Sequence, residues 1–324
     1  MNKIISIYYI RALSVIGILL CHCCYGIQGI ENLGRFLGNT FNVVFLTISA
    51  FLIGLSFENK GNKQYDKKFL IHRVGKLAYS YYPFILLMFA FLIYTGYNVS
   101  IKNVASHFLF LAWFDKLSGF GHLWYITLIV MCYFAIYFVS KLPNRMLNYI
   151  KSGGKFLLIL AIVSQIALER IGQPNYIFIY ILLYVYIFLN ARKILEIIDK
   201  LPLKPTIIIG SAIVILVMLL FWYDATNIYT SKWCGLASAI TVFAITKKIF
   251  NKADKNLIVN FISTISFEIY LTHHVFCFGK HSIYHIIPNP ILGTIVIFII
   301  SFILAKLLKT ISNCVNNIFS KKQS

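Results

Sequence analysis

Charge is what this 324-residue chain has least of: Asp, Glu, Lys and Arg together make up 12% of it, about half the share in an ordinary soluble domain. Long polar stretches are missing too. The largest pieces between apolar segments run to about 20–25 residues, too short to bury a core of their own, so no independent soluble domain is expected. No low-complexity linker and no clear repeat interrupts the chain. Inverted repeats with Gly/Pro-broken helices, which favour a transporter, are not found. The seven cysteines are odd in number and lie in or at the edge of apolar segments, so no secreted-type disulfide framework is visible. At Cys21-His22-Cys23-Cys24 a single helix cannot turn four consecutive side chains toward one tetrahedral ion, and the cysteines read as small packing hydrophobes. The first apolar segment contains Arg11 and lacks a small-x-small cleavage site, so no cleavable signal peptide is expected.

What is there is hydrocarbon. The chain is 59% hydrophobic with a mean hydropathy of +0.78, and apolar stretches of about 20 residues, enough to span about 30 Å of bilayer core, recur throughout. The reading is an all-α, polytopic integral membrane helical bundle of about ten transmembrane helices. The expected spans are 4–25, 39–57, 77–96, 122–140, 156–170, 176–190, 205–223, 232–250, 259–279 and 290–310. The piece 104–114 is too short to cross and is expected to lie at the interface or re-enter. A membrane domain over 1–312 is followed by a short basic tail, 313–324.

The net charge of +20 does not point to nucleic acid. The lysines and arginines cluster in alternate short loops: 58–76, 141–155, 192–204, 247–255 and the tail with Lys321 and Lys322. The loops between are poorer. This positive-inside pattern puts both termini on the cytoplasmic side of a cell membrane.

The stretch "RALSVIGILLCH" places Arg11 and His22 inside the first span. Eleven helical steps bring His22 to within about 20° of the azimuth of Arg11, about 16 Å along the axis. Snorkelling of each side chain to its nearer interface explains either residue alone. Together on one face, they suit a substrate with an anionic head and a distant reactive group. The arginine fork binds phosphate or carboxylate, and the histidine takes and returns a proton near neutral pH. Acyl-coenzyme A has that form.

Further blocks follow in order: "FNVVFLTISAFLIG" in the second span, "FLIHRVGKL" in the basic loop, "GHLWYI" at 121–126 and "ISFEIYLTHHVF" at 265–276. With the arginine–histidine segment they cover nearly the whole chain, which resembles the membrane acyltransferase family (acyltransferase type three) that O-acylates bacterial surface sugars. Two departures stand out. Ala50 replaces the usual glycine after Ser49, and Lys76 stands where the loop pattern has its second arginine, keeping the charge but losing the bidentate fork.

The resemblance implies an O-acetyltransferase that moves an acetyl group from acetyl-CoA to a hydroxyl of a cell-surface or lipid-linked glycan, with no permanently bound cofactor and no metal. His22 and Arg11 are the expected catalytic residues. Arg11, Arg73 and Lys76 are expected at the donor's phosphates. Asn42, Ser49, His122, Trp124, Glu268, Tyr270 and His273 are expected to position substrates. On helical geometry Ser266, Tyr270 and His273 share a face, while Glu268 points elsewhere and is expected to pair with Arg11. His274, His281 and His285 match no motif and read as interfacial. Transfer by direct hydroxyl attack and a relay through an acylated histidine both remain open. The rival readings are a flippase of glycan precursors and a non-catalytic membrane subunit among polysaccharide-assembly proteins.

Overall fold

A computed structural model of the chain describes residues 4–61, 63–115, 120–152, 159–160, 163–167, 170, 177–226, 230–254, 256–277 and 279–321. Every regular element among them is helical. The long helices are α1 (Ser6–Tyr25), α2 (Glu31–Asn59), α3 (Lys67–Tyr94), α5 (Trp124–Val139), α9 (Leu203–Trp222), α10 (Thr230–Ile249) and α14 (Pro290–Lys321). Shorter ones are α4 (Ile101–Phe108), α6 (Asn144–Ser152), α7 (Ile177–Leu189), α8 (Ala191–Lys200), α11 (Leu257–Thr264), α12 (Ser266–Thr272) and α13 (His274–Cys277).

Local chemistry sets the ends. The Asp66 side chain caps α3 by accepting from the Phe69 N–H at 3.1 Å, and Ser100 with Asn103 forms a reciprocal capping box on α4. Gly61 and Gly96, at φ +67° and +77°, follow the last turns of α2 and α3, where a left-handed residue stops a helix and only glycine is unstrained.

The second helix is the hub, packing against α1, α7, α8, α9 and α10. Small residues let it approach its neighbours. Gly54 sits against the Phe188 carbonyl and the Ala191 side chain at the end of α7, and Gly235 of α10 rests on Asn39. Such small-residue contacts are the normal means of helix association where hydrocarbon surrounds both partners. In a second layer α14 packs on α3 and α12. Burial is graded accordingly: 72% of the apolar window of α2 is buried, against 17% for α9, so α9 turns most of its surface to lipid.

Ion pairs gather the lysine-rich loops at one end, hereafter the basic end. Glu58 at the foot of α2 takes Lys151 at 2.6 Å and the Arg192 N–H at 3.1 Å. Lys247 reaches Asp199 at 3.0 Å, and the Tyr9 hydroxyl donates to the Asp254 carbonyl. At the opposite end Arg35 pairs with Asp224.

Among the described residues six helices, α1, α2, α3, α5 with its preceding turn, α9 and α14, are long and apolar enough to cross a membrane, and up to seven if α7 and α8, bent by 75°, count as one span. The other expected spans do not meet that measure for identifiable reasons. Span 156–170 lies largely outside the described residues. The 13 residues of α7 reach only about 20 Å. The expected span 232–250 is α10, which is long but carries Lys232, Lys247 and Lys248. Span 259–279 is broken into α11, α12 and α13. The piece 104–114 holds only the end of eight-residue α4, as its length required.

If Gly54 is a packing residue, Gly54→Leu overfills its contact and costs about 1–3 kcal/mol. Gly75→Ala, whose added carbon would meet nothing closer than 3.9 Å, should be neutral or stabilising by up to ~1 kcal/mol. Thermal unfolding of the two detergent-purified variants checks the contrast.

Candidate functional site

At the basic end, α1, α2, α3, α5, α12 and α14 enclose a cavity of about 290 Å3 lined by Arg11, Ser49, Arg73, Lys76, Tyr125, Tyr133, Ser266, Glu268 and Lys309, among others. Its wall is mostly apolar, and its charges are four cations to one carboxylate, Glu268. Neither Arg11, Arg73 nor Lys76 has an ion-pair partner among the described residues. Arg73 lies over the Phe69 ring at 5.8 Å, and Ser49 shares a hydrogen bond with the Tyr184 hydroxyl at 2.9 Å.

Glu268 is 1% exposed. It does not pair with Arg11. Its Oε1 accepts from Lys309 at 3.1 Å and from the Ser80 hydroxyl at 2.7 Å, and Ser80 also reaches Ser312 at 2.9 Å. Nor does Glu268 turn away from Ser266, since both line the cavity. The reason lies in α14, which brings Lys309 onto α12 on a stripe of buried Ser301, Ala305, Leu308 and Ser312.

Farther along α1 four imidazoles meet. His22 lies 4.8 Å from His273 and 4.6 Å from His274 between ring centroids, and His122 stacks on His274 at 4.2 Å. Two of them flank an interruption: His273, still in helical φ/ψ, follows the last turn of α12, and His274 begins α13. Both rings are buried, at 0% and 3% exposure. His274 is thus part of the cluster and not interfacial. His285 is exposed as expected, while His281 packs on Phe91 at 4.8 Å.

Hydrogen bonds fix the tautomers. The Nδ1 of His273 lies 2.9 Å from the Ile269 carbonyl. A carbonyl only accepts, so this nitrogen carries the proton and Nε2 carries the lone pair. That Nε2 lies 2.9 Å from Nδ1 of His22, which also contacts the Ile18 carbonyl at 3.0 Å. Two acceptors around one nitrogen make it the donor. The lone pair of His22 then resides on Nε2, the arrangement that turns an imidazole into a directed base. Likewise the Nε2 of His122 donates to the Leu271 carbonyl at 3.2 Å, and its buried Nδ1 has no hydrogen-bond partner. Among the described residues no group of three or more His, Cys, Asp or Glu is arranged to hold a metal ion.

An aromatic layer separates cavity and cluster. Tyr125 lines the cavity and packs on Tyr270 at 5.6 Å and Phe45 at 6.2 Å. Tyr270, 4% exposed, meets the His122 ring at 5.2 Å, and its hydroxyl donates to the His122 carbonyl. Arg11 faces the cavity and His22 the cluster, both toward the bundle interior, but the cavity does not extend to His22.

Two sequence candidates fall outside both parts. Asn42 bonds the Gly38 carbonyl of its own helix at 2.9 Å, and Trp124 packs against Trp113 at 5.2 Å and Tyr180 at 6.2 Å. Conversely, sequence reasoning passed over Lys309, Ser80, Tyr125 and His274. Only Lys309 left a usable signal, a cation on the same helical face as Ser301, Ala305, Leu308 and Ser312. Cys23 and Cys277 sit 3.9 Å apart at the sulfurs beside the cluster, consistent with packing cysteines.

No curated protein and no solved structure matches the chain. A family of acyltransferase domains, acyltransferase type three, matches residues 4–309. That span contains the cavity, the aromatic layer and all four clustered histidines, and the chain belongs to this membrane acyltransferase family.

Proposed function

We propose that the protein moves an acetyl group from acetyl-CoA to a hydroxyl of a cell-surface or lipid-linked glycan across the cell membrane. The observation that carries this is the hydrogen bond from His22 Nδ1 to His273 Nε2 at 2.9 Å, which leaves His22 Nε2 as the base. Ten crossings with both termini cytoplasmic suit the reading, because the lysine-rich loops then share the donor's compartment.

The donor's phosphates dock against Arg11, Arg73 and Lys76, whose charges lie in a wall of low polarity where they act strongly. Its flexible arm displaces the rings of Phe45, Tyr125 and Tyr270 and carries the thioester toward His22. His22 Nε2 takes the proton of the acceptor hydroxyl as the oxygen attacks the acyl carbonyl. The carbon–sulfur bond breaks, and the thiolate leaves and takes the proton from the imidazolium. His273 acts as a positioning residue, accepting from Nδ1 and holding the ring while it is charged.

His22→Ala should abolish transfer, with a loss of at least ~10³-fold from the missing base, seen as loss of glycan ester by mass spectrometry at normal protein level. Unchanged ester content would remove the proposal. His273→Ala should lower kcat by about 10–100-fold with donor KM little changed, since it removes a hydrogen bond to a charge that develops only in the transition state.

At the other end Arg11→Gln should weaken binding of labelled acetyl-CoA by about 10–100-fold, the worth of a charged hydrogen bond. Glu268→Gln removes an anion from the same cavity. It should leave donor binding equal or tighter while lowering the unfolding temperature, because the Lys309 and Ser80 contacts lose their charged partner. Parallel binding and melting measurements separate the two roles.

A further inference from the structure

Away from the site, α9 and α10 leave a groove on the lipid-facing side of the bundle. It has a volume of about 270 Å3 and runs from Leu201 to Gly210 on one side and Ile240 to Ile245 on the other. We propose that this groove holds an acyl chain of an anionic phospholipid from the leaflet at the basic end, with the lipid phosphate at Lys200 and Lys204.

The groove's surface is hydrocarbon in effect. Its two hydroxyl residues are tied to their own helices, Thr206 to the Pro202 carbonyl at 2.6 Å and Thr241 to the Ala237 carbonyl at 2.8 Å. Gly210 forms the floor: a side-chain carbon there would stand 2.7 Å from Ile245 Cδ1 and 3.0 Å from the Thr241 methyl. The rims are open, with Ile209 60% and Ile240 51% exposed. From Leu203 to Gly210 the helix rises about 10 Å, and the extended Leu201 and Pro202 lengthen the groove at its mouth, so it lies within the ~15 Å depth of one hydrocarbon leaflet.

The mouth supplies the charge. Helix α8 bends 75° from α7 and presents Arg192, Lys193 and Lys200 outward while burying Ile198, as an interfacial helix does. Asp199 on α8 takes Lys247, and its carbonyl takes Lys248 at 3.1 Å, fastening α8 across the end of α10 beside the groove. Lys200 and Lys204 are exposed and have no ion-pair partner among the described residues. The first turn of α9 has no capping side chain, so its N–H groups add a field favourable to phosphate. A neutral lipid would fill the groove but leave these charges uncompensated, which is why the occupant is anionic.

Native mass spectrometry of detergent-released protein, delipidated and titrated with phosphatidylglycerol or phosphatidylcholine, tests this. Wild type should bind one phosphatidylglycerol with about 30-fold preference, the sum of two interfacial lysines. Lys200→Gln with Lys204→Gln should bring the two lipids to near-equal affinity. Ala244→Phe, which fills the groove, should lose the tight site for both while the protein stays monodisperse. Equal binding of the two lipids by wild type overturns the proposal. So does retained tight binding in Ala244→Phe, or a dimer that this variant dissociates, which would assign the face to a second copy of the chain. If Ala244→Phe does not fold, the lysine pair alone decides through the loss or survival of the preference.

Discussion

The interaction around which the buried histidines are arranged is the hydrogen bond between His22 and His273, 2.9 Å from α1 to the end of α12. Just past it the chain is interrupted before α13 begins at His274. The interruption releases backbone groups, which hydrocarbon cannot solvate and which must find partners inside the protein. They do: the His273 carbonyl takes the Phe276 N–H at 3.1 Å and the Cys277 thiol at 3.5 Å, and the Cys277 carbonyl takes the Ser282 hydroxyl at 3.1 Å. The Ile269 carbonyl keeps its helical partner, the His273 N–H at 3.2 Å, and takes the ring Nδ1–H at 2.9 Å as a second donor.

The first helix imposes a second constraint. Arg11 and His22 are held on one face at a fixed axial separation by α-helical geometry, yet each faces a different environment, a cation-lined cavity and a buried cluster of rings. Phe45, Tyr125 and Tyr270 lie between. In the resting arrangement these rings close the path between the two regions, which separates water at the basic end from the histidines. A ligand that reached from the cavity to His22 would have to displace these side chains, while Arg11 and His22 could remain where α1 holds them.

How much of this could be read in the chain follows from the range of each interaction. The amphipathic facts local to one helix were legible: the shared face of Arg11 and His22, the positions of Arg73 and Lys76 one turn apart, and the clustering of basic loops. Interactions between helices were not. Nothing in the residues around Glu268 indicates that Lys309, 41 positions on, takes the place expected of Arg11, because that choice depends on how α14 packs against α3 and α12. His274 was misplaced for a related reason. It matches no motif and read as interfacial, and its place between His22 and His122 depends on how α13 packs against α1. Asn42 and Trp124 fit the family blocks, yet one bonds its own backbone and the other packs on Trp113 and Tyr180, so a motif position alone did not define contact with the site. A hydropathy average runs through a break without showing it, as at 259–279.

The displaced ion pair bears directly on what the cavity can hold. Four cations line it, Arg11, Arg73, Lys76 and Lys309, and one carboxylate, Glu268. Had Glu268 paired with Arg11, the planar fork best suited to phosphate would have been occupied, leaving only Lys76 and Lys309 beside Arg73. By taking Lys309 instead, Glu268 compensates the cation on the outer helix and leaves Arg11, Arg73 and Lys76 without an ion-pair partner among the described residues. The same pairing anchors α14 to α12, so the carboxylate that shapes the charge of the cavity also steadies the short helix next to His273. Electrostatics at one end and ring geometry at the other are joined through a single short helix, α12.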